Sequence, residues 1–177
     1  MTKFIFLIVI AITTVSFFGC SDNPDEPTKV NAEVSLDGSW ISNSGGYPFT
    51  VKDETMIVYA DQGEELEERY FSLEIGTEKV TQPNNLVVRK IDLLIEKYAF
   101  TPLTDARVNM FNANATCGFS DWKLNIRKEV GLCGTPESVS KTIYRIDSNI
   151  LLFGNPNSID SDGYPDSLDG TRSWIRK

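Results

Sequence analysis

The segment LVVRKIDLLIEKYAF, residues 86–100, decides the fold class of this chain. Apolar side chains take every second position in its centre, at Ile91, Leu93 and Ile95. Asp92 and Glu96 fall at the alternate positions. Successive side chains of a strand point to opposite faces, so a period of two predicts a β-strand with one buried face. Pro83-Asn84-Asn85 is a turn signal directly before this strand.

Shorter segments on both sides repeat the pattern. They are rich in β-branched and aromatic residues, and turn signals separate them. The predicted strands are residues 40–41, 49–51, 55–59, 70–75, 122–127, 142–146, 150–153 and 171–176. Together with the long strand they predict an all-β fold, which is an antiparallel barrel or sandwich of about eight strands.

The connections between these strands predict one short helix and two loops. The helix covers residues 104–112, with Thr104 as its N-cap. The acidic run of residues 61–68 is predicted as a hairpin loop with a solvated flank. Residues 147–149 are predicted as the three-residue turn of another hairpin.

Both ends of the β region resemble lipocalin-like proteins. Residues 36–40, LDGSW, are similar to the G-x-W opening of those domains, in which the Trp closes one end of the barrel. A second resemblance is to the last hairpin of small lipocalin-like lipoproteins, and it covers residues 143–146, 152–154 and 163–165. The resemblance implies a lipocalin-like meander barrel over residues 36–177. Trp40, Trp122 and Trp174 are predicted as core residues, with Trp40 and Trp174 closing one barrel end, and the alternative is that they line a ligand cavity.

The N-terminus has the pattern of a bacterial signal peptide. Lys3 precedes an uncharged, mostly apolar run of 15 residues, 4–18, which is shorter than the ~20 residues that span a bilayer. Phe17-Phe18-Gly19-Cys20 resembles the lipobox of bacterial lipoproteins, although Phe17 stands where Leu is usual. The resemblance implies a signal peptide of residues 1–19, diacylglycerol on the Cys20 sulfur, and acylation of the new amine by a chain such as palmitate. An uncleaved apolar anchor is the alternative.

The residues after the lipobox predict a tether and a location. Residues 21–27 are polar, acidic and interrupted by proline, so residues 20–35 are expected to form the lipidated N-terminus and a flexible tether. Ser21 directly after the Cys is similar to lipoproteins that are released to the outer membrane. The resemblance therefore implies a lipid anchor in the cell envelope. It favours the outer membrane, at its periplasmic face or at the cell surface.

Two cysteines remain once Cys20 is assigned to lipid. Cys117 and Cys133 form an even pair in an oxidising compartment, so a disulfide is predicted. The loop that it would close is near the ~15-residue case for which chain-entropy models give about 3 kcal/mol of stabilisation.

Composition narrows the classes of function. The net charge is -8, which argues against nucleic acid as a partner. Histidine is absent, and with it the commonest general base and metal ligand. Phosphate loops, nucleophile elbows and metalloprotease helices are not found in the sequence either. We therefore predict a protein that is not an enzyme, with no catalytic residues and no required cofactor.

One acidic segment fits part of the calcium-loop pattern. Within residues 158–169, oxygen ligands fall at alternating positions that suit Ca²⁺. The candidate ligands are Asp160, Asp162, the carbonyl of Tyr164, Asp166 and Asp169. Ser158 stands at the first position, where Asp is usual. An ordinary loop built on Asp-Gly and Tyr-Pro turn chemistry is the alternative.

Three functions follow from the sequence as hypotheses. The first is a non-catalytic lipoprotein whose barrel binds a small apolar or amphipathic ligand in its mouth. The second is a structural or protein-interaction module of the cell envelope, with a filled core. The third is a surface or adhesion module that calcium stabilises. The size of the barrel interior distinguishes the first from the second, because an eight-stranded barrel is either filled by side chains or holds one ligand.

Overall fold

A computed structural model describes residues 35–81 and 87–177, apart from the side chains at 78 and 80. The predicted signal peptide, Cys20, the tether up to residue 34 and the predicted turn at residues 83–85 lie outside the described residues. Every strand and helix given below belongs to the compact unit Val34–Lys177. This unit holds a complete core of its own, which is the requirement for a domain that folds independently.

The described residues form nine strands and one α-helix. The strands are β1 (Gly38–Ser42), β2 (Phe49–Lys52), β3 (Thr55–Asp61), β4 (Glu65–Thr81), β5 (Val87–Pro102), β6 (Lys128–Val130), β7 (Val139–Asp147), β8 (Ile150–Phe153) and β9 (Trp174–Arg176). The helix α1 covers Asp105–Ala113, and a short 3₁₀ turn follows at Thr116–Gly118.

Eight of these strands close into an antiparallel barrel. Each strand from β1 to β5 pairs with the next, β5 continues to β7, β8 and β9, and β9 pairs with β1. The all-β lipocalin-like barrel is therefore confirmed, and the sandwich alternative is wrong. Closure leaves few backbone groups at open sheet edges.

The two longest strands give the barrel its stagger. β4 pairs with β3 only through residues 66–72, whereas β5 pairs with β7 through residues 89–94. β4 and β5 pair with each other along nearly their whole length, and residues 98–100 of β5 pair with β6 on the other side. This offset is the register shift that a closed barrel requires.

The barrel interior is built by the alternation that the sequence predicted. Side chains of one parity point inward and form the main hydrophobic cluster. Its buried members are Leu36, Trp40, Phe49, Val51, Met56, Leu73, Ile91, Tyr144 and Leu151. On β5, Ile91 and Leu93 belong to this cluster, and Asp92 between them lies on the outside, where Tyr164 contacts it.

A second hydrophobic cluster, the outer cluster, consists of Phe111, Trp122 and Val130 with Tyr98, Phe100 and Cys117 packed against it. Helix α1 supplies Phe111, and the ring of Phe111 meets that of Trp122 at 4.9 Å between centroids. Cys117 and Cys133 form a disulfide, with Cα atoms 4.5 Å apart. The predicted helix and its Thr104 cap are confirmed, since the Thr104 hydroxyl accepts a hydrogen bond from Arg107 N at 3.1 Å.

Three local predictions are wrong. Residues 122–127 are not a strand, because Asn125 adopts a left-handed backbone with φ of 58° and the ring of Trp122 is buried in the outer cluster. Only residues 62–64 of the acidic run form a loop, and Glu65 is buried in β4, where it accepts a hydrogen bond from Arg107 at 2.7 Å. The turn at residues 147–149 is shorter than predicted, since Asp147 pairs with Ile150.

Candidate functional site

The barrel contains a cavity of about 500 Å³ that opens at one end. Seven of the eight barrel strands contribute a lining side chain, all except β1. The apolar lining consists of Phe49, Met56, Val58, Phe71, Leu93, Phe153 and Trp174. The polar lining consists of Ser44, Tyr47, Thr142 and Arg172, with backbone from Gly45 and Gly46. The volume lies within the range of about 300–1,000 Å³ that is typical of small-molecule sites.

The floor end of the barrel, behind the cavity, is filled by Leu36 and Trp40, which belong to the main hydrophobic cluster and do not line the cavity. Trp40 is fully buried, and its Nε1 donates to the carbonyl of Leu36 at 2.9 Å. The guanidinium of Arg176 covers the Trp40 ring at 4.7 Å, and it also donates to the carbonyl of Ser35. Phe49 stacks above Trp40 at 6.3 Å between centroids and is the first ring exposed to the cavity. Trp40 therefore fills the barrel interior behind Phe49, which lines the cavity.

Trp174 has a different position from Trp40. It lines the cavity, where its ring lies 5.2 Å from that of Phe153 and 6.0 Å from that of Phe49. Its Nε1 donates to the carbonyl of Tyr47 at 3.1 Å. Phe49 thus contacts both tryptophans, one on the floor side and one on the cavity side. Trp122 lies outside the barrel, in the outer cluster.

The mouth of the cavity is the opening between the loop of residues 43–48 and Arg172. The hydroxyl of Ser42 fixes this loop by accepting hydrogen bonds from the backbone of Ser44 and Gly46, at 3.2 and 2.7 Å. A Cβ atom at Gly46 would lie 2.9 Å from the Trp174 ring. The absence of a side chain at Gly46 therefore allows the loop to pack against Trp174.

Arg172 is the only charged residue among the described residues that line the cavity. Its side chain is 63% exposed, and its Nε is 3.8 Å from the carboxylate of Asp169. The other oxygen of Asp169 accepts hydrogen bonds from the backbone and hydroxyl of Thr171, which lower the pKa of Asp169. The mouth thus carries a solvated positive charge beside an apolar interior.

The acidic loop, residues 158–169, lies on the outside of the barrel. Gly154 follows β8 directly, four residues before the loop, and a Cβ there would be 2.5 Å from Pro165 and 2.9 Å from Ile143. Pro165 is buried against this gap. On β5, Asp92 accepts a hydrogen bond from the hydroxyl of Tyr164. The loop is therefore attached to β5, β7 and β8 by close packing and by this bond.

Other protein groups already bind the candidate calcium ligands. Asp160 accepts hydrogen bonds from the backbone N–H groups of Tyr164 and Asp162, and these lower its pKa. The Tyr164 carbonyl accepts a hydrogen bond from Asp160 N at 2.6 Å. The carboxylate of Asp166 accepts one from Ser158, and Lys90 lies 3.4 Å from the carboxylate of Asp162. Within residues 35–81 and 87–177, no group of three or more acidic or cysteine side chains could hold a metal ion.

The Tyr164–Asp92 bond makes a testable contribution to stability. The hydrogen bond to the carboxylate is the main cause that raises the pKa of Tyr164 to about 12. The folded state thus favours the neutral phenol, so the contribution is complete below the ordinary tyrosine pKa of ~10 and is lost as pH rises from there towards 12. We expect Tyr164→Phe to be about 1 kcal/mol less stable than the parent at neutral pH, since solvent screens this partly exposed pair.

Chemical denaturation at neutral pH and at about pH 11 measures this difference. We expect the gap between variant and parent to shrink at the higher pH. Tyr70, whose pKa burial raises to about 12, is present in both proteins and does not affect the comparison. Tyr59→Phe is the control, because the Tyr59 hydroxyl pairs with that of Thr50 instead of a carboxylate. A gap that stays constant with pH would contradict the assignment.

A second set of charged residues lies on the outer face of β4, β5 and β6. Glu68 accepts hydrogen bonds from Tyr70 and from Arg127, at 2.9 Å for Arg127 Nη2. Burial tends to raise the pKa of Glu68, but these hydrogen bonds outweigh burial and lower it. Glu129 pairs with both Arg127 and Lys97. Each carboxylate in this set is thus paired with a base, which is the arrangement of a structural ion-pair network.

Comparison with known proteins gives no further indication of function. No protein-family model matches the chain. No curated protein matches it either. Among the described helices, none has the length and apolar character that crossing a membrane would require.

Sequence reasoning did not identify the cavity lining. The inward parity of Leu93 was predicted, but Phe49, Phe71 and Phe153 were not assigned to a site. An alternating pattern indicates which side chains share a face. It does not indicate whether opposite faces meet across the barrel or leave space between them, and this depends on the stagger of the strands. Arg172 was missed for a related reason, because only the closed barrel brings it to the 43–48 loop.

Proposed function

We propose that this protein is a non-catalytic binding protein whose barrel holds one small apolar or amphipathic ligand. The observation that carries the proposal is the open cavity of about 500 Å³ with its largely apolar lining. Binding sites for small molecules are typically concave and apolar, with a few polar groups that orient the ligand. Phe49, Phe71 and Trp174 offer large apolar surfaces, and the mouth supplies the polar groups.

The cavity favours ligand binding over a filled-core interaction module. Protein interiors are packed to the density of organic crystals, and voids larger than a water molecule are few. A barrel whose only role was structural would be expected to fill this space with larger side chains at positions such as Val58 or Thr142. The calcium hypothesis remains a prediction, and the hydrogen bonds of the acidic loop give its carboxylates another role.

Filling the cavity tests the proposal. We expect the neutral fluorescent probe phenylnaphthylamine to bind the parent protein, residues 34–177. Leu93→Trp places a larger ring in the cavity, so we expect it to weaken binding at least ~10-fold, which corresponds to about 1.4 kcal/mol. Val87→Trp is the matched control, because Val87 lies on the same strand, is 46% exposed and is not part of the lining.

Melting curves of both variants show whether each is folded before binding is compared. Val58→Phe is a second filling variant from β3, in case Leu93→Trp does not fold. Probe binding that is equal in the parent and in a folded filling variant would contradict the proposal. The absence of probe binding to the parent would also contradict it.

We propose further that the protein is a lipoprotein attached to the cell envelope through Cys20. The support is the sequence alone: a basic residue, a 15-residue apolar run and Gly19-Cys20, followed by a polar tether. Several acyl chains on one residue give stable attachment, whereas one chain binds a membrane only marginally. In this proposal the envelope membrane is the partner of the N-terminus, and the barrel binds its ligand outside the cytoplasm.

A further inference from the structure

The polarity of the cavity is asymmetric, and this bears on the class of ligand. Everything below the mouth is apolar except Thr142, whose hydroxyl donates to the carbonyl of Ile143 at 3.3 Å. The other charged and hydroxyl-bearing residues of the lining are Arg172, Ser44 and Tyr47, and all three lie in the loops that form the mouth. A ligand that matches this distribution has an apolar body and one polar end.

The charge that the lining itself carries at the mouth is positive. Arg172 is the only charged member of the lining among the described residues, and its nearest carboxylate partner is 3.8 Å away. That partner, Asp169, already accepts two hydrogen bonds from Thr171. A guanidinium presents several N–H donors in a planar fork that matches a carboxylate. Arg172 can therefore bind an anionic group through donors that this long contact with Asp169 does not use.

The orientation of the ligand in the cavity follows from the free-energy cost of moving a charged group out of water. An ionised group that moves from water into an apolar cavity loses its hydration without compensation. The same group placed at the mouth remains solvated and also meets the Arg172 guanidinium. The hydroxyl of Ser44 accepts a hydrogen bond from Ser173 N and can donate its own hydrogen at the same time.

We propose that the ligand is a singly charged anionic amphiphile of the carboxylate type, with its apolar chain in the barrel and its charged head beside Arg172. This inference rests on the proposed function, because it names the class of ligand for the same cavity. It makes Arg172 a specificity-determining residue. It also assigns the rings of Trp174 and Phe153 to the part of the chain next to the head, and Phe49 to its far end.

The test uses three compounds with the same apolar chain and different heads. Decanoate, decanol and decyltrimethylammonium compete with phenylnaphthylamine for residues 34–177 of the parent protein and of Arg172→Gln. In the parent we expect decanoate to bind about 10-fold more tightly than decyltrimethylammonium, with a smaller preference at high salt. In Arg172→Gln we expect most of this preference to disappear, while the affinity for decanol stays the same.

Two further variants separate the local contact from general charge. Lys52→Gln removes one positive charge at an exposed position on β2 that is not part of the lining, and we expect it to leave the preference unchanged. Arg172→Lys keeps the charge and is expected to recover part of the preference. Rescue by lysine would not follow if Arg172 had a merely structural role.

The outcomes distinguish this inference from the proposed function. Failure of all three compounds and of the probe to bind the parent would overturn both. Equal binding of the three heads in the parent, or a preference for the cation, would overturn the anionic head and leave the binding barrel intact. An anion preference that survives in Arg172→Gln would overturn the role of Arg172.

Discussion

Replacement of Trp40 by alanine is expected to destabilise the barrel by about 4 kcal/mol, the largest effect of any single core substitution considered for this chain. The Trp40 side chain is fully buried, stacks on Phe49 and donates to Leu36. Loss of this side chain removes apolar contacts and leaves an empty space behind Phe49. It also removes the ring that covers one side of the Arg176 guanidinium. Small domains have a total stability of about 5–15 kcal/mol, so a large share would be lost.

Thermal and chemical unfolding of residues 34–177 measure this effect. We expect the melting temperature to fall by roughly 10 °C. Ile41→Ala is the control on the same strand, because Ile41 is 48% exposed and its truncation should cost less than about 1 kcal/mol. Trp40→Phe is expected to fall between them, since it keeps a ring and loses the hydrogen bond to Leu36. Equal losses for Trp40→Ala and Ile41→Ala would contradict the role of Trp40 as the floor.

Replacement of Cys20 by serine is expected to remove the protein from the membrane fraction of cells. A serine oxygen does not replace the sulfur on which the diacylglycerol is proposed to be carried. Each buried CH₂ group of an acyl chain contributes about 0.8 kcal/mol to membrane binding, so the loss of two or more chains removes most of the attachment. We expect labelled palmitate to be incorporated into the parent protein and not into Cys20→Ser.

Cell fractionation and intact mass together test the anchor. Ser21→Ala is the matched control, because it changes the neighbouring residue and leaves the proposed acylation site in place. Palmitate labelling that persists in Cys20→Ser would exclude Cys20 as the site. A parent protein in the membrane fraction at its full precursor mass, without label, would instead support the alternative of an uncleaved apolar anchor.

Local patterns were sufficient for most of the fold. The period of two around Ile91 and Leu93 predicted a strand with one face inside the barrel, and the Thr104 cap predicted the helix. The disulfide between Cys117 and Cys133 was predicted from the number of cysteines and from the expected oxidising compartment. The strand and the helix cap depend on neighbouring residues, and the disulfide depends on which cysteines remain after Cys20 is assigned to lipid. A single sequence contains both kinds of information.

The predictions that failed depend on contacts between distant segments. Trp122 is held by Phe111 of α1, and this contact outweighs the alternating pattern of residues 122–127. Glu65 looks solvated within its acidic run, but Arg107, 42 residues later, pairs with it in a nearly buried position. The cavity also depends on distant contacts, because its lining comes from seven strands. No single segment contains the information on whether their side chains fill the barrel.

The pairing of β1 with β9 has a practical consequence for experiments on this protein. β1 begins at Gly38, beside Arg176, and reaches the 43–48 loop roughly 13 Å further on. The backbone N–H of Lys177 donates a hydrogen bond to the carbonyl of Ser39 at 2.8 Å. Residues 35–39 and Lys177 therefore lie together at the floor end of the barrel. A biotin, a fluorophore or a sensor surface coupled through Lys177 would therefore be held at the end opposite the mouth, and immobilised protein would keep its cavity open to solution.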